Sequence, residues 1–169
     1  LAVSGTTIFA GTNYVGGVFR STNNGDSWNL VGLAAQAIYS FAFSGTNIFA
    51  GTGAGVYRST NGGTAWFPFN NGLTSQSVGA ITVSSTNIFA GTWEGGVFLS
   101  TNNGVNWTAV NTGLTNQHIK VLSISGTNIL AGTLGGVFLS TNNGANWNAS
   151  NNGLTNNYSN AIAVSGINI

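Results

Sequence analysis

One eight-residue phrase recurs four times in this chain and constrains its fold more than any other feature. Each copy reads Ser-Thr-Asn-x-Gly-x-x-Trp, and the copies begin at Ser21, Ser59, Ser100 and Ser140. Successive copies start 38, 41 and 40 residues apart. An Ala-Gly-Thr marker keeps the same period through Gly11, Gly51, Gly91 and Gly132. A period near 40 with strand-like content predicts an array of small sheets, with a propeller as the leading form.

The third repeat shows how strands fill one period. Residues 78–83, 87–92, 97–100 and 106–110 are short β-prone runs, and turn-forming residues separate them. The second run is apolar on both faces, so it needs cover on both sides, which neighbouring blades of a propeller supply. Four short strands fill the period without a helix. The sequence therefore predicts an all-β array of four-stranded antiparallel blades, a β-propeller or part of one.

The recurring phrase has a turn mechanism of its own. The Asn side chain can accept a bond from the backbone ahead of it, as can the Ser hydroxyl. The Gly supplies a position expected to need positive φ, and the Trp is expected to bury its ring against the sheet. We assign these structural roles to Ser21, Asn23, Gly25, Trp28, Ser59, Asn61, Gly63, Trp66, Ser100, Asn102, Gly104, Trp107, Ser140, Asn142, Gly144 and Trp147.

These residues resemble the Asp-box, or BNR repeat, of sialidase-type, sortilin-type and photosystem II assembly factor-like propellers and of xyloglucan-cleaving hydrolases. The resemblance covers all four repeats. It implies that each box is a turn between the third and fourth strands on the blade's outer rim, remote from a central ligand face. Asn23, Asn61, Asn102 and Asn142 stand where the family usually has Asp. Asn keeps the turn-forming oxygen but loses the charge, so we expect no acidic or metal-linked role for the box.

The period divides residues 1–169, read as a single repeat domain, into blades of about 1–34, 35–75, 76–116 and 117–157. Residues 158–169 then start a further blade, and residues 163–166 repeat the sequence of residues 2–5 without change, Ala163-Val164-Ser165-Gly166 against Ala2-Val3-Ser4-Gly5. We expect a segment of a longer array, completed by further blades of its own chain or by another copy. Copies that join head to tail without closing would form a filament.

Charge is scarce. Arg20, Asp26, Arg58, Glu94 and Lys120 are the charged side chains, and the formal net charge is +1. Phosphate binding needs clustered Lys and Arg, so we expect no nucleic-acid partner. No apolar run approaches the roughly 20 residues of a membrane helix, so we expect no membrane insertion. The chain has no cysteine, and we expect neither a metal site nor a cofactor.

The residue inventory argues against catalysis. The sialidase resemblance would imply an arginine cluster, a Tyr–Glu pair and an acidic Asp, but Arg20 and Arg58 occupy equivalent repeat positions and are expected to be structural. A glycosidase needs two carboxyl groups beside the bond, and Asp26 and Glu94 lie in different loops of different repeats. We expect His118 to be exposed or bonded to one carbonyl. The chain is therefore not predicted to be an enzyme.

The positions that break the repeat are the candidates for binding. The loop between the second and third strands varies in length and size while the framework around it stays constant, which is typical of binding loops. It carries Tyr14 in the first repeat and Trp93 and Glu94 in the third. Exposed aromatic side chains stack on sugars or anchor protein partners. The alternative is that Trp93 fills space beside a small neighbour.

Together these features predict a non-catalytic, secreted or cell-surface structural or binding module that takes a protein or glycan or self-assembles into a homo-oligomer or filament. The extracellular location rests on the low charge, the abundance of Asn, Thr, Ser and Gly, and the family resemblance. The alternative is a fragment of a glycoside hydrolase propeller whose catalytic carboxylates lie outside this segment.

Overall fold

The computed structural model describes residues 1–14 and 16–164, and in these residues the protein is all-β. The strands form four antiparallel sheets, each of four strands in sequential order. The first blade contains β1 (Ala2–Ser4), β2 (Thr7–Gly11), β3 (Val18–Ser21) and β4 (Asn29–Gly32). The second contains β5 (Ile38–Ser44), β6 (Asn47–Thr52), β7 (Gly55–Ser59) and β8 (Phe67–Pro68).

The later blades repeat this plan. The third blade contains β9 (Val78–Ser84), β10 (Asn87–Thr92), β11 (Val97–Ser100) and β12 (Thr108–Ala109). The fourth contains β13 (Ile119–Ser125), β14 (Asn128–Thr133), β15 (Gly136–Ser140) and β16 (Asn148–Ala149). The predicted all-β fold of four-stranded antiparallel blades is confirmed.

The blades pack through their first and second strands. Strand β9 lies against β5 on one side and β13 on the other. Apart from their leading Asn, β6, β10 and β14 are buried along their whole length, which agrees with their apolar pattern on both faces. The fourth strands β8, β12 and β16 have two residues each, both exposed, and they form the outer edges of their blades.

Antiparallel alternation gives the array two faces. The turns between first and second strands and the box turns lie on one side, here called the lower face. The loops between second and third strands and the connections between blades lie on the other side, the upper face. Bonds such as Trp93 N–H to the Ser77 carbonyl (3.0 Å) and Gly96 N–H to the Gln117 carbonyl (3.0 Å) join neighbouring segments there.

The four box turns share one hydrogen-bond pattern. In the third blade the buried Ser100 hydroxyl donates to Asn102 Oδ1 (3.0 Å) and accepts from Gly104 N–H (2.9 Å), while Asn102 Oδ1 also accepts from Asn106 N–H (2.9 Å). The other three boxes have the same bonds with distances between 2.8 and 3.0 Å. The Ser hydroxyl and the Asn side-chain oxygen of each box are therefore bonded within the eight-residue phrase itself.

The box tryptophans differ in burial because each packs on the preceding blade. Trp107 and Trp147 are 4% and 2% exposed, and their indole N–H groups donate to the carbonyls of Phe69 (2.8 Å) and Val110 (2.7 Å) in the blade before. Trp66 is half-buried and bonds within its own box. The expectation that every box tryptophan is buried is wrong for Trp28, which is 39% exposed because no described blade precedes it.

Two parts of the sequence-based assignment fall partly outside the described residues. The further blade expected at 158–169 includes residues 165–169, and the first variable loop includes Val15; both lie outside them. Within the described part, Ser159 N–H donates to the Thr133 carbonyl (3.1 Å), as Ile38 N–H does to the Thr12 carbonyl (3.0 Å). The first residues after the fourth blade thus pack on it as β5 packs on the first blade.

The tryptophan contacts give a stability prediction. We expect Trp107→Ala to lower the free energy of unfolding by about 3–5 kcal/mol, because it removes a buried aromatic ring and its bond to the Phe69 carbonyl. Trp28→Ala is the matched control and should change the free energy by less than about 1 kcal/mol, because the ring is partly exposed. Urea denaturation followed by circular dichroism measures both values. Equal effects would contradict the blade-on-blade role of the box tryptophans.

Candidate ligand-binding site on the upper face

The loop that carries Trp93 and Glu94 is held at both ends. The buried Thr92 hydroxyl donates to the Gly96 carbonyl (3.0 Å) and accepts from Gly95 N–H (2.9 Å). From the connection after the fourth strand, Asn111 accepts a bond from Val97 N–H (2.7 Å) and donates to the Gly95 carbonyl (2.9 Å). These bonds hold the loop in one conformation, so its exposed side chains are presented by a fixed backbone.

A β-bulge shapes the start of the first strand in the second, third and fourth blades. The register skips one residue in each pairing with the second strand, and the skipped residues are Tyr39, Gly79 and Lys120. A bulge leaves its extra residue out of the ladder and changes the direction of its side chain. The same position therefore carries the phenol of Tyr39 in the second blade, a glycine in the third blade and the ammonium group of Lys120 in the fourth.

Trp93 occupies the space above the glycine of this series. A Cβ atom built on Gly79 would lie 2.4 Å from Trp93 Nε1, so a larger residue at 79 would displace the indole. The Trp93 ring contacts Tyr39, with ring centroids 4.9 Å apart, and lies parallel to His118 at 6.0 Å. Lys120 Nζ is 5.6 Å from the indole centroid, a cation–π distance. Trp93 does fill space beside a small neighbour, and it is also the centre of a cluster from three blades.

His118 is half-buried rather than exposed, contrary to expectation, and among the described residues no carbonyl is found to bond its ring. Its Nε2 is buried and has no hydrogen-bond partner among the described residues. Burial lowers the pKa of His118 below its ordinary value of 6.5, the nearby Lys120 ammonium lowers it further, and the Glu94 carboxylate opposes the shift. The imidazole is therefore neutral at pH 7 and contributes a flat, weakly polar ring beside Trp93.

Tyr14 lies apart from this cluster. It is 81% exposed at the tip of the first blade's loop, where its φ is 61°. The described ring contacts of Trp93 are with Tyr39 and His118 instead. Glu94 is exposed and lies close enough to His118 to influence its pKa. The structure thus assembles Trp93 and Glu94 with Tyr39, His118 and Lys120, and it leaves Tyr14 as a separate aromatic group on the same face.

The two arginines bridge blades on the lower face. Arg20 Nη1 donates to the Gly62 carbonyl (3.0 Å) and Arg58 Nη1 to the Asn103 carbonyl (2.7 Å), each in the box of the next blade. Both therefore link neighbouring blades through one Nη1 bond each, as expected of a structural role. In the described part of the chain, no three His, Asp or Glu side chains converge as metal ligands would. No helix there is long and apolar enough to span a bilayer.

The cluster combines an aromatic surface with one cationic and one anionic group. Such a patch can bind a ligand by ring contact and orient it by hydrogen bonds from Lys120 and to Glu94. Sequence reasoning selected Trp93 and Glu94 but missed Tyr39 and Lys120. An available signal was their shared repeat position with Gly79, which is the position where the bulge falls.

Comparisons with known proteins agree on the fold. No family model and no curated protein matches the sequence. Among solved structures, an ancestral GH74 enzyme superposes with a TM-score of 0.71 at 23% identity, over 86% of this chain and 22% of that one. The extracellular domain of a B. thetaiotaomicron one-component system gives 0.72 at 19% identity, over 92% and 23%.

A third similar structure is YCF48 bound to D1 peptide, with a TM-score of 0.61 at 17% identity over 81% of this chain and 49% of that one. This chain therefore spans less than a quarter of the GH74 enzyme and of the sensor domain, and about half of YCF48. At these identities the comparisons establish propeller-type blades, and they leave the ligand to be argued from the site.

The pKa of His118 gives a pH prediction. Because the folded pKa is lowered, the unfolded chain binds more protons near pH 6.5, and stability falls as the pH drops through that value and levels off below the folded pKa. We expect the melting temperature to decrease from pH 7.5 to pH 5 and His118→Asn to reduce that decrease. His118 is the lone histidine, which makes the comparison direct. An identical pH profile in the variant would contradict the assigned burial.

Proposed function

We propose that this chain is part of a non-catalytic, extracellular or cell-surface binding module built of Asp-box blades, which takes a protein or glycan ligand through its upper face. The observation that carries the proposal is the convergence of charged and aromatic side chains on Trp93. In a chain with five charged side chains and one histidine, Lys120 and His118 lie against a single indole, and the neighbouring Glu94 lies close enough to His118 to influence its pKa. Repeated scaffold residues do not require this concentration of charge.

The position of the carboxylates supports a non-catalytic role. Glu94 lies in an upper-face loop of the third blade, and Asp26 lies in the box of the first blade on the lower face. Glycoside hydrolysis needs two carboxyl groups about 5–9.5 Å apart across one bond. Groups on opposite faces of different blades do not meet that requirement. The alternative, a fragment of a hydrolase whose carboxylates lie in other blades, is favoured by the likeness to GH74 enzymes.

The named properties of the similar structures support the same class of function. One is an extracellular domain of a sensor system, and another binds a peptide. The first is consistent with a secreted or surface-exposed module, and the second with a module that recognises a peptide. The aromatic and mixed-charge character of the Trp93 cluster suits either an oligosaccharide or an extended peptide.

Binding by the upper face can be tested by calorimetric titration of β-glucan and sialoside oligosaccharides and of a peptide library. We expect Trp93→Ala to weaken the best ligand by about tenfold or more, because a central aromatic contact is lost. Tyr14→Ala should weaken it less, and Trp28→Ala, an exposed tryptophan outside the upper-face loops, serves as the matched control. The same sugars should not be hydrolysed. Affinity unchanged in both Trp93→Ala and Tyr14→Ala would contradict the proposed site.

Self-association is a second candidate function, favoured by the exposed apolar face of the first blade. Leu1 is 92% exposed, and Val3, Trp28 and Leu30 are also exposed. In the later blades the equivalent face is covered by the preceding blade, as the Trp107 contacts show. A second copy that presents its fourth blade could cover this face in the same geometry. Low net charge removes the repulsion that would oppose such packing.

We therefore expect the isolated chain to show a mass that rises with concentration when it is measured by light scattering. Trp28→Asp should reduce the association, because it places a charge in the proposed contact. Asn106→Asp, which adds the same charge in the box of the third blade at an exposed position, is the control and should have little effect. A concentration-independent monomer would argue against self-assembly.

A further inference from the structure

A cleft of about 410 Å³ opens on the lower face between the first and second blades. Its size falls within the range typical of small-molecule sites. Thr7, Phe43, Thr46, Thr60 and Gly62 are among its lining residues, together with the Arg20 side chain. The cleft lies on the opposite face from the Trp93 cluster and shares no residue with it.

Several residues that line the cleft differ from those at the equivalent positions of the other repeats. Thr7 stands where the next three repeats have Asn47, Asn87 and Asn128. Phe43 is an aromatic residue at a position that holds Val3, Val83 and Ile124 elsewhere, and Gly62 replaces Asn24, Asn103 and Asn143. Gly62 lacks the side chain of the asparagines that it replaces, so it enlarges the space between the blades, while Thr7 exchanges an amide for a hydroxyl and a methyl group.

Arg20 differs from Arg58 although the two occupy the same repeat position. Arg58 places its guanidinium carbon 3.8 Å from the centre of the Phe69 ring, so one face of the group is covered. The equivalent of Phe69 in the first blade is Val31, which is partly buried and packs against the hydrophobic core between the first two blades. Within the described residues only Nη1 of Arg20 is bonded, to the Gly62 carbonyl at the cleft wall.

We propose that this cleft binds a small hydroxylated carboxylate, such as a sugar acid. A guanidinium group with free N–H donors is the side chain best suited to a planar carboxylate. The threonine hydroxyls of Thr7, Thr46 and Thr60 offer donors and acceptors for the hydroxyl groups of the ligand. Phe43 supplies an apolar wall against which the carbon skeleton can lie.

The test is a titration with D-glucuronate followed by ¹H–¹⁵N NMR, with D-glucose and acetate as probes that lack one half of the recognition chemistry. We expect the amide signals of Gly45 and Gly62 to shift with glucuronate, which should bind about tenfold or more tightly than either probe. Arg20→Leu, which introduces the residue found at positions 99 and 139, should weaken binding about tenfold or more. Arg58→Leu, the matched control, should leave it within about twofold.

Gly62→Asn gives a second and gentler perturbation. Gly62 has a φ of 68°, and Asn24, Asn103 and Asn143 adopt 57°, 56° and 55° at the equivalent position, so the backbone accepts the change. The added side chain should fill the cleft and weaken glucuronate about tenfold or more, even if Arg20→Leu fails to fold. Absence of shifts at Gly62, equal binding of glucose, or unchanged affinity in Gly62→Asn would each overturn the proposal.

Discussion

The box glycines of the second, third and fourth blades lie against the second-strand phenylalanine of the preceding blade, and the stacking of the array depends on this contact. A Cβ atom built on Gly63 would be 2.8 Å from the Phe9 ring, one on Gly104 would be 3.2 Å from Phe49, and one on Gly144 would be 3.5 Å from Phe89. Phe9, Phe49 and Phe89 are almost completely buried as a result. These positions favour glycine for two reasons, which are the close approach of the neighbouring blade and the positive φ of the turn.

Amide and hydroxyl groups supply the fixed polar structure in this nearly uncharged chain. In the boxes, Ser and Asn side chains satisfy one another and the backbone, and at the upper face the marker threonines and Asn70, Asn111 and Asn151 hold the loops in the same way. These bonds stabilise the blades at any ordinary pH or salt concentration. The few charged side chains are therefore not part of these repeated bonds, and they make the blades differ from one another.

Departures from the repeat concentrate in two places. On the upper face, the bulged residue of the first strand is Tyr39 in the second blade and Lys120 in the fourth, but Gly79 in the third. Trp93 occupies the volume that a side chain at position 79 would fill. On the lower face, Thr7, Phe43 and Gly62 depart from the repeat together around Arg20. A residue that recurs in every repeat has to fit the packing of every blade. A residue that departs from the repeat has to fit only its own surroundings. Both candidate binding sites are therefore formed around residues that depart from the repeat.

The local structure of each blade follows from its own roughly 40 residues. The four strands, the box turn and the double-sided second strand follow from hydrogen bonds and alternation within about 40 residues, so they could be predicted from residues such as Ser100, Asn102 and Gly104. The contacts between blades, by contrast, could be read only from the folded structure. It left Trp28 exposed while Trp107 is buried, although their boxes match, because burial depends on a preceding blade. It also joined Tyr39, Trp93 and His118, which lie in separate repeats, because the rotation between blades that brings their rings together is set by packing and leaves no local signal in the sequence.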